Sequence, residues 1–210
     1  MSRSILALLL PALALSALEP NPSPLTCNSS LKITHLPTGH HLSSAEINWG
    51  SGSQQQAVTA SPIQGDAAAL WMVSSAQGEP GCAAGSPVKC GESVRLTHLL
   101  TGKNLHSHEY RSPLTHQQEV SAFGQDGQGD GGDNWQVVCA GTYWNSDQPF
   151  HLRHLDTGRY LAASDQAKFT QQNCPNCPIV GQLEIAGVKA QKDSGKWVVQ
   201  RGVFIKAEDA

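Results

Sequence analysis

The chain has 210 residues, 39% hydrophobic and 15% charged, with 20 Gly, 12 Pro and 6 Cys, a globular composition that is neither disordered nor collagen-like. Fourteen basic against seventeen acidic residues give a formal charge of -3. That leaves no basic excess to displace counterions from a phosphate backbone, so nucleic acid is not an expected partner.

At the N-terminus Arg3 precedes an apolar run from Ile5 to Leu15, broken only by Pro11, and Ala14-Leu15-Ser16 offers small residues to signal peptidase. Residues 1–16 are expected to be a cleaved secretory signal, because such a run rises only about 16 Å as a helix, roughly half the bilayer core. No membrane insertion is expected after cleavage. Residues 17–24 hold Glu19-Pro20-Asn21-Pro22-Ser23-Pro24, read as a stiff, unpaired linker because proline lacks a backbone donor. Asn28-Ser29-Ser30 is an acceptor sequence for N-glycosylation, which makes Asn28 a candidate site beside Cys27. A chain this long needs no cross-links to fold, so six cysteines point to an oxidising compartment.

Ile33-Thr34-His35-Leu36-Pro37-Thr38-Gly39-His40-His41-Leu42 recurs as Leu96-Thr97-His98-Leu99-Leu100-Thr101-Gly102-Lys103-Asn104-Leu105 and as Leu152-Arg153-His154-Leu155-Asp156-Thr157-Gly158-Arg159-Tyr160-Leu161. The pattern His-Leu-x-Thr-Gly-x-x-Leu thus occurs three times. A tryptophan closes each copy at a similar distance: Trp71, Trp135 and Trp197. Between these ends Gln55-Gln56-Ala57-Val58 matches Gln117-Gln118-Glu119-Val120 and, more loosely, Gln182-Leu183-Glu184-Ile185. The third copy carries an insertion around Cys174.

Within each copy the pattern has period two. Leu31, Ile33 and His35 share a strand face, as do Val94, Leu96 and His98, and Phe150, Leu152 and His154. Thr-Gly then predicts a tight hairpin turn. Short strands between Gly, Pro, Ser and Asp fill the rest, and no segment carries a helical apolar stripe. One such unit cannot bury its apolar face alone, whereas three around a pseudo-threefold axis can close a barrel. The expected fold is all-β: a β-trefoil over residues 25–206, with repeats at about 27–82, 90–139 and 146–206.

Arg95-Leu96-Thr97-His98, Thr101-Gly102-Lys103-Asn104-Leu105-His106-Ser107-His108, Ser112-Pro113-Leu114, Gln118-Glu119-Val120-Ser121-Ala122-Phe123-Gly124 and Asp133-Asn134-Trp135 resemble the MIR repeats of stromal cell-derived factor 2-like proteins. The resemblance covers roughly residues 25–206, is most specific in the second repeat, and departs at Cys174-Pro175-Asn176-Cys177 in the third. It implies a trefoil resident in the endoplasmic reticulum lumen, working beside a lumenal Hsp70 chaperone and a DnaJ-type co-chaperone on client proteins. MIR repeats also occur in protein O-mannosyltransferases, whose chemistry lies in a multispanning membrane part that these residues do not resemble.

The equivalent His35, His98 and His154 are expected to tie down hairpin backbone, with a shared zinc site as the alternative. His106 and His108 differ, because the other copies carry Ser43-Ser44 and Ala162-Ala163 there. Alternation would set the two rings on one face about 6.5 Å apart, as a solvated surface, a polar contact site or a chelate. His106, His108, Glu109, Gln117, Gln118 and Glu119 form the candidate binding face, on an exposed surface. Asp126, Asp130 and Asp133 lie in a Gly-rich stretch read as a flexible turn, since Val137 stands where a calcium loop needs a bidentate Glu. No metal and no cofactor are expected. No serine sits in a Gly-x-Ser-x-Gly elbow, and no enzyme activity is expected.

Cys27 and Cys90 each stand eight residues before their repeat histidine, while Cys82 and Cys139 follow Trp71 and Trp135. In a trefoil unit the first and fourth strands are neighbours, so Cys27–Cys82 and Cys90–Cys139 are the expected bridges. That leaves Cys174 with Cys177, a local disulfide in preference to a redox pair. Two functions follow: a non-catalytic chaperone-complex subunit, or a lectin-like module binding glycans. The segment ending at Ala210 shows no retrieval tetrapeptide, so lumenal residence and secretion both stand.

Overall fold

The structure is a computed structural model that describes residues 23–206; the signal reading of 1–16 and most of the linker lie outside these residues. Twelve strands run in chain order: β1 Ser30–His35, β2 His41–Asn48, β3 Gln56–Ser61, β4 Leu70–Ser75, β5 Ser93–His98, β6 Asn104–Arg111, β7 Gln118–Phe123, β8 Trp135–Cys139, β9 Phe150–His154, β10 Tyr160–Lys168, β11 Leu183–Val188 and β12 Trp197–Val203. Each repeat supplies four. A 3-10 turn precedes the fourth strand of each: Ala67–Ala69, Gly131–Asp133 and Asp193–Gly195. No helix among the described residues is long and apolar enough to cross a membrane.

The first and fourth strands of the repeats close a ring, β1-β4-β5-β8-β9-β12 and back to β1, all antiparallel. The hairpins β2–β3, β6–β7 and β10–β11 cap one mouth, where β3, β7 and β11 pair with one another in a triangle. This is a β-trefoil. At another set of repeat-related positions three backbone bonds form a cycle: Leu25 N donates to Trp144 O (2.7 Å), Trp144 N to Val88 O (2.9 Å), and Val88 N to Leu25 O (2.9 Å). The linker's last residues join it. Ser23 N donates to Ser146 Oγ at 3.2 Å and Pro24 bridges Asn145, so the expectation of an unpaired linker is corrected for Ser23 and Pro24.

Period-two strands direct one residue from each repeat into a common core. Ile33, Leu96 and Leu152 are fully buried, and so are Leu42, Leu105 and Leu161, and Trp71, Trp135 and Trp197. Each indole Nε1–H, which would be costly to bury unpaired, donates to the backbone of its own hairpin: Trp71 to Leu42 O, Trp135 to Leu105 O, Trp197 to Leu161 O, at 2.9, 2.9 and 3.0 Å.

The repeat histidines are structural. His35, His98 and His154 lie opposite Trp197, Trp71 and Trp135 across the ring pairings, with ring centroids 4.9 Å apart in every case. Each Nε2 meets a carbonyl in the 3-10 turn of the adjoining repeat, Ser194 O, Ala68 O or Gly132 O, at 2.8–2.9 Å. Each Nδ1 meets the Thr hydroxyl of its own hairpin at 2.8–2.9 Å. A carbonyl can only accept, so Nε2 carries the proton and Nδ1 accepts from Thr. Both nitrogens of each ring are used between two repeats. The hairpin turn itself needs φ of +71°, +65° and +67° at Gly39, Gly102 and Gly158, the left-handed region that glycine enters without steric cost.

Candidate functional site

β6 is where the second repeat departs from its mates. His106, His108 and Tyr110 alternate along one face, with ring centroids 5.0 Å and 4.9 Å apart, and Phe123 of β7 lies 4.9 Å from His106. The shared face follows from strand alternation; the exposure does not. His106 is only 4% exposed and Tyr110 is 54% exposed, with the His108 side chain between them at 22%. The expectation of an exposed binding face is therefore corrected for His106.

A buried carboxylate covers it. Asp133 is inaccessible; its Oδ1 accepts from His106 Nδ1 at 2.9 Å, and its Oδ2 accepts from Asn104 Nδ2 and from Asp130 N, each at 3.0 Å. Asp130 caps the same 3-10 turn by accepting from Gly132 N at 2.9 Å and lies 3.6 Å from His106 Nδ1. The stretch read as a flexible turn is thus a capping box closed over an imidazole. His106, Asp130 and Asp133 each bring one ligand-type atom within 4.8 Å of the others, but each carboxylate is already engaged in this capping. A signal for the pair was present in the sequence. Only the second copy has both a histidine at 106 and a carboxylate two residues before its tryptophan, where the others have Ala69 and Gly195.

Glu119 and Gln118 are also corrected from exposed contacts to buried structural groups. Glu119, fully buried, accepts from Ser53 N at 3.3 Å, from the Ser53 hydroxyl and from His108 Nε2 at 3.1 Å, so it latches the β2–β3 loop. Its mate Glu184 latches the β6–β7 loop by accepting from Leu114 N at 2.6 Å and Thr115 N at 3.1 Å. In the first repeat the same place is Ala57, and there Phe169 and Ile179 of the third repeat pack instead, together with Trp49 of the first. Gln118 Nε2 donates to Ser107 Oγ at 2.7 Å and Thr157 Oγ1 at 2.8 Å, just as Gln56 Nε2 serves Ser44 and Thr101. Glu109 and Gln117 remain exposed.

Two adjoining grooves result, sharing Glu109 and Thr157. One of about 500 Å³ is lined by His106, His108, Asp130 and Asp156. The other, of about 510 Å³, is lined by Tyr110, Arg111, His116, Arg159 and Lys189. The cations were not legible in the sequence, because they come from β6, the turn before β10 and the end of β11, and carry no motif.

The disulfides join Cys27 to Cys82, Cys90 to Cys139 and Cys174 to Cys177, the pairs that the repeat spacing selects. Asn28 is exposed in a turn at φ +64°. The MIR domain pattern matches residues 49–139, the part that holds the second repeat. Over 182 residues the chain is 42% identical to stromal cell-derived factor 2-like protein 1 of Bos taurus, covering 86% of this chain and 78% of that one. It belongs to the stromal cell-derived factor 2-like family. Within that family, the solved SDF2-like protein of Arabidopsis thaliana superposes with a TM-score of 0.81 at 35% identity, covering 89% of this chain and 100% of that chain. The trefoil also matches part of the S. cerevisiae protein O-mannosyltransferase Pmt1-Pmt2 complex bound to the sugar donor, with a TM-score of 0.71 and 25% identity, covering 93% of this chain and 29% of that chain. The family relatives carry names that describe no enzyme.

Proposed function

We propose that this SDF2-like chain is a non-catalytic lumenal subunit of an endoplasmic reticulum chaperone complex, partnered with an Hsp70 and a DnaJ-type protein in folding and quality control of client proteins. The observation that carries this reading is that the match to family relatives runs through the trefoil, over 78% of the Bos taurus protein and all of the solved Arabidopsis thaliana chain, so the surfaces of the trefoil are what the relatives share. Three disulfides fit an oxidising compartment, and the buried polar groups at the second repeat are committed to structural bonds, leaving exposed polar side chains suited to contact. Affinity capture from microsomes in mild detergent tests it: the lumenal Hsp70 and a DnaJ protein co-purify. Their absence would overturn the reading. A reporter fused after Ala210 should give a reticular pattern, and mostly extracellular recovery would replace residence by secretion.

A second reading, glycan binding, is favoured by one observation: Tyr110 stands exposed beside Glu109 and His108, an aromatic face next to hydroxyl-binding groups. Calorimetry with mannose oligosaccharides tests it, and heat that persists unchanged in Tyr110→Ala would remove this site.

A further inference from the structure

The same threefold-related place has been furnished differently in the second and third repeats. Where the second has His106, His108 and Asp130, the third has Ala162, Ser164 and Lys192. The third repeat has there a cleft of about 390 Å³ floored by small side chains, with Ala162 and Ala186 paired across β10 and β11 and 4–5% exposed. The one carboxylate lining it, Glu184, is occupied in holding the β6–β7 loop. Such a floor makes no polar demand and suits an aliphatic side chain.

The rim is cationic. Lys189 and Lys192 border the cleft, and Lys189 also borders the adjoining groove that holds Arg111 and Arg159. Among the described residues none of these four cations forms an ion pair. Arg159 packs over Gly187: a Cβ there would lie 3.1 Å from Arg159 Cβ and 3.2 Å from Gln118 Cβ, so a larger residue at 187 would crowd the arginine stem where it crosses β11 beside β7. In a chain whose net charge is -3, four unpaired cations along two joined depressions focus a local positive field. Arg111, Arg159 and Lys189 line one depression and Lys189 and Lys192 the next, so an anion that meets all four must span both, which suits an extended anion better than a single phosphate. Glu109 lies at the edge of the basic groove, and Asp130 and Asp156 line the groove beyond it, which limits the cationic stretch to a short acidic segment and disfavours a long nucleic-acid strand.

We propose that this cleft and basic groove form a docking site for an acidic peptide segment of a partner protein, anchored by one aliphatic side chain over Ala162. The proposal rests on the reading of the chain as a protein-binding subunit and gives that partner its chemistry. The test uses the full mature chain and a fluorescein-labelled peptide with one Leu flanked by Glu and Asp, read by anisotropy. Binding should weaken steeply with salt, and the exposed reversal Arg111→Glu with Lys189→Glu should cost about tenfold or more in affinity. Ala162→His fills the floor with the residue that the same backbone position already carries in the second repeat, and its thermal midpoint reports folding. In that variant the Leu peptide and its Leu→Asn version should bind alike, whereas the native chain prefers Leu. Equal binding of acidic and basic peptides, or indifference to the charge reversal, would overturn the proposal, as would tighter binding of a sulfated glycan. Lost peptide binding with intact co-purification of the chaperones sinks only the docking site; peptide binding without the chaperones sinks only the complex reading.

Discussion

His98→Phe isolates the worth of the repeat histidine. Phenylalanine keeps an aromatic ring in a position with no solvent exposure, packed on Trp71 at a centroid distance of 4.9 Å. It removes two hydrogen bonds, Nε2 to Ala68 O at 2.8 Å and Nδ1 to Thr101 Oγ1 at 2.9 Å. Thr101 still accepts from Gln56 Nε2, so Ala68 O is the group left most exposed to loss. A neutral hydrogen bond contributes about 1 kcal/mol net, and an orphaned buried acceptor costs about 1–3 kcal/mol more, which puts the expected destabilisation near 3 kcal/mol. For a chain of this size that lowers the thermal midpoint by about 6–12 °C. Scanning calorimetry at pH 7.5 measures it, with denaturant unfolding as a second route. Because His35 and His154 repeat the geometry, His35→Phe and His154→Phe should fall by comparable amounts. A midpoint for His98→Phe within about 1 °C of the native chain would show that packing alone, and not the imidazole bonds, holds the repeats together.

Burial lowers the pKa of His35, His41, His98, His151 and His154 below the usual 6.5. The unfolded chain therefore binds more protons than the folded one just below pH 6.5, so stability should be full above that value and fall as pH drops through it; a urea midpoint that is flat from pH 7.5 to 5.5 would contradict this. Replacing Cys90 removes a bridge of separation 49, worth about 4 kcal/mol in the chain-entropy model, against about 2 kcal/mol for Cys174–Cys177; equal melting losses for Cys90→Ser and Cys174→Ser would refute that. His106→Ala should cost about 2 kcal/mol or more by leaving the buried Asp133 Oδ1 without its donor, while His108→Ala costs less because that ring is partly solvated; equal midpoints would count against the difference in burial.

Local chemistry settled much of this protein. Thr-Gly turns, period-two strands and three His-Leu-x-Thr-Gly copies ending in tryptophan already required four strands per repeat and a threefold core, since no single copy can bury Ile33, Leu96 or Leu152 by itself. The cysteine spacing followed, because the same repeat places Cys27 and Cys90 alike. Alternation along β6 likewise put His106 and His108 on one face. What alternation cannot tell is whether another part of the chain lies on that face. Asp133, 27 residues on, covers His106, and the latches of Glu119 and Glu184 reach Ser53 and Leu114 across separations of 66 and 70 residues. Gln118 and Glu119 read as surface residues because polar side chains are mostly exposed; packed repeats instead bury them with their partners, which a linear pattern does not record. The basic groove has the same origin. Arg111, Arg159 and Lys189 are unremarkable in the sequence and become one surface only when β6, the turn before β10 and the end of β11 are folded against each other, so charge summed along the chain gave -3 while charge gathered in space gave a cationic cleft.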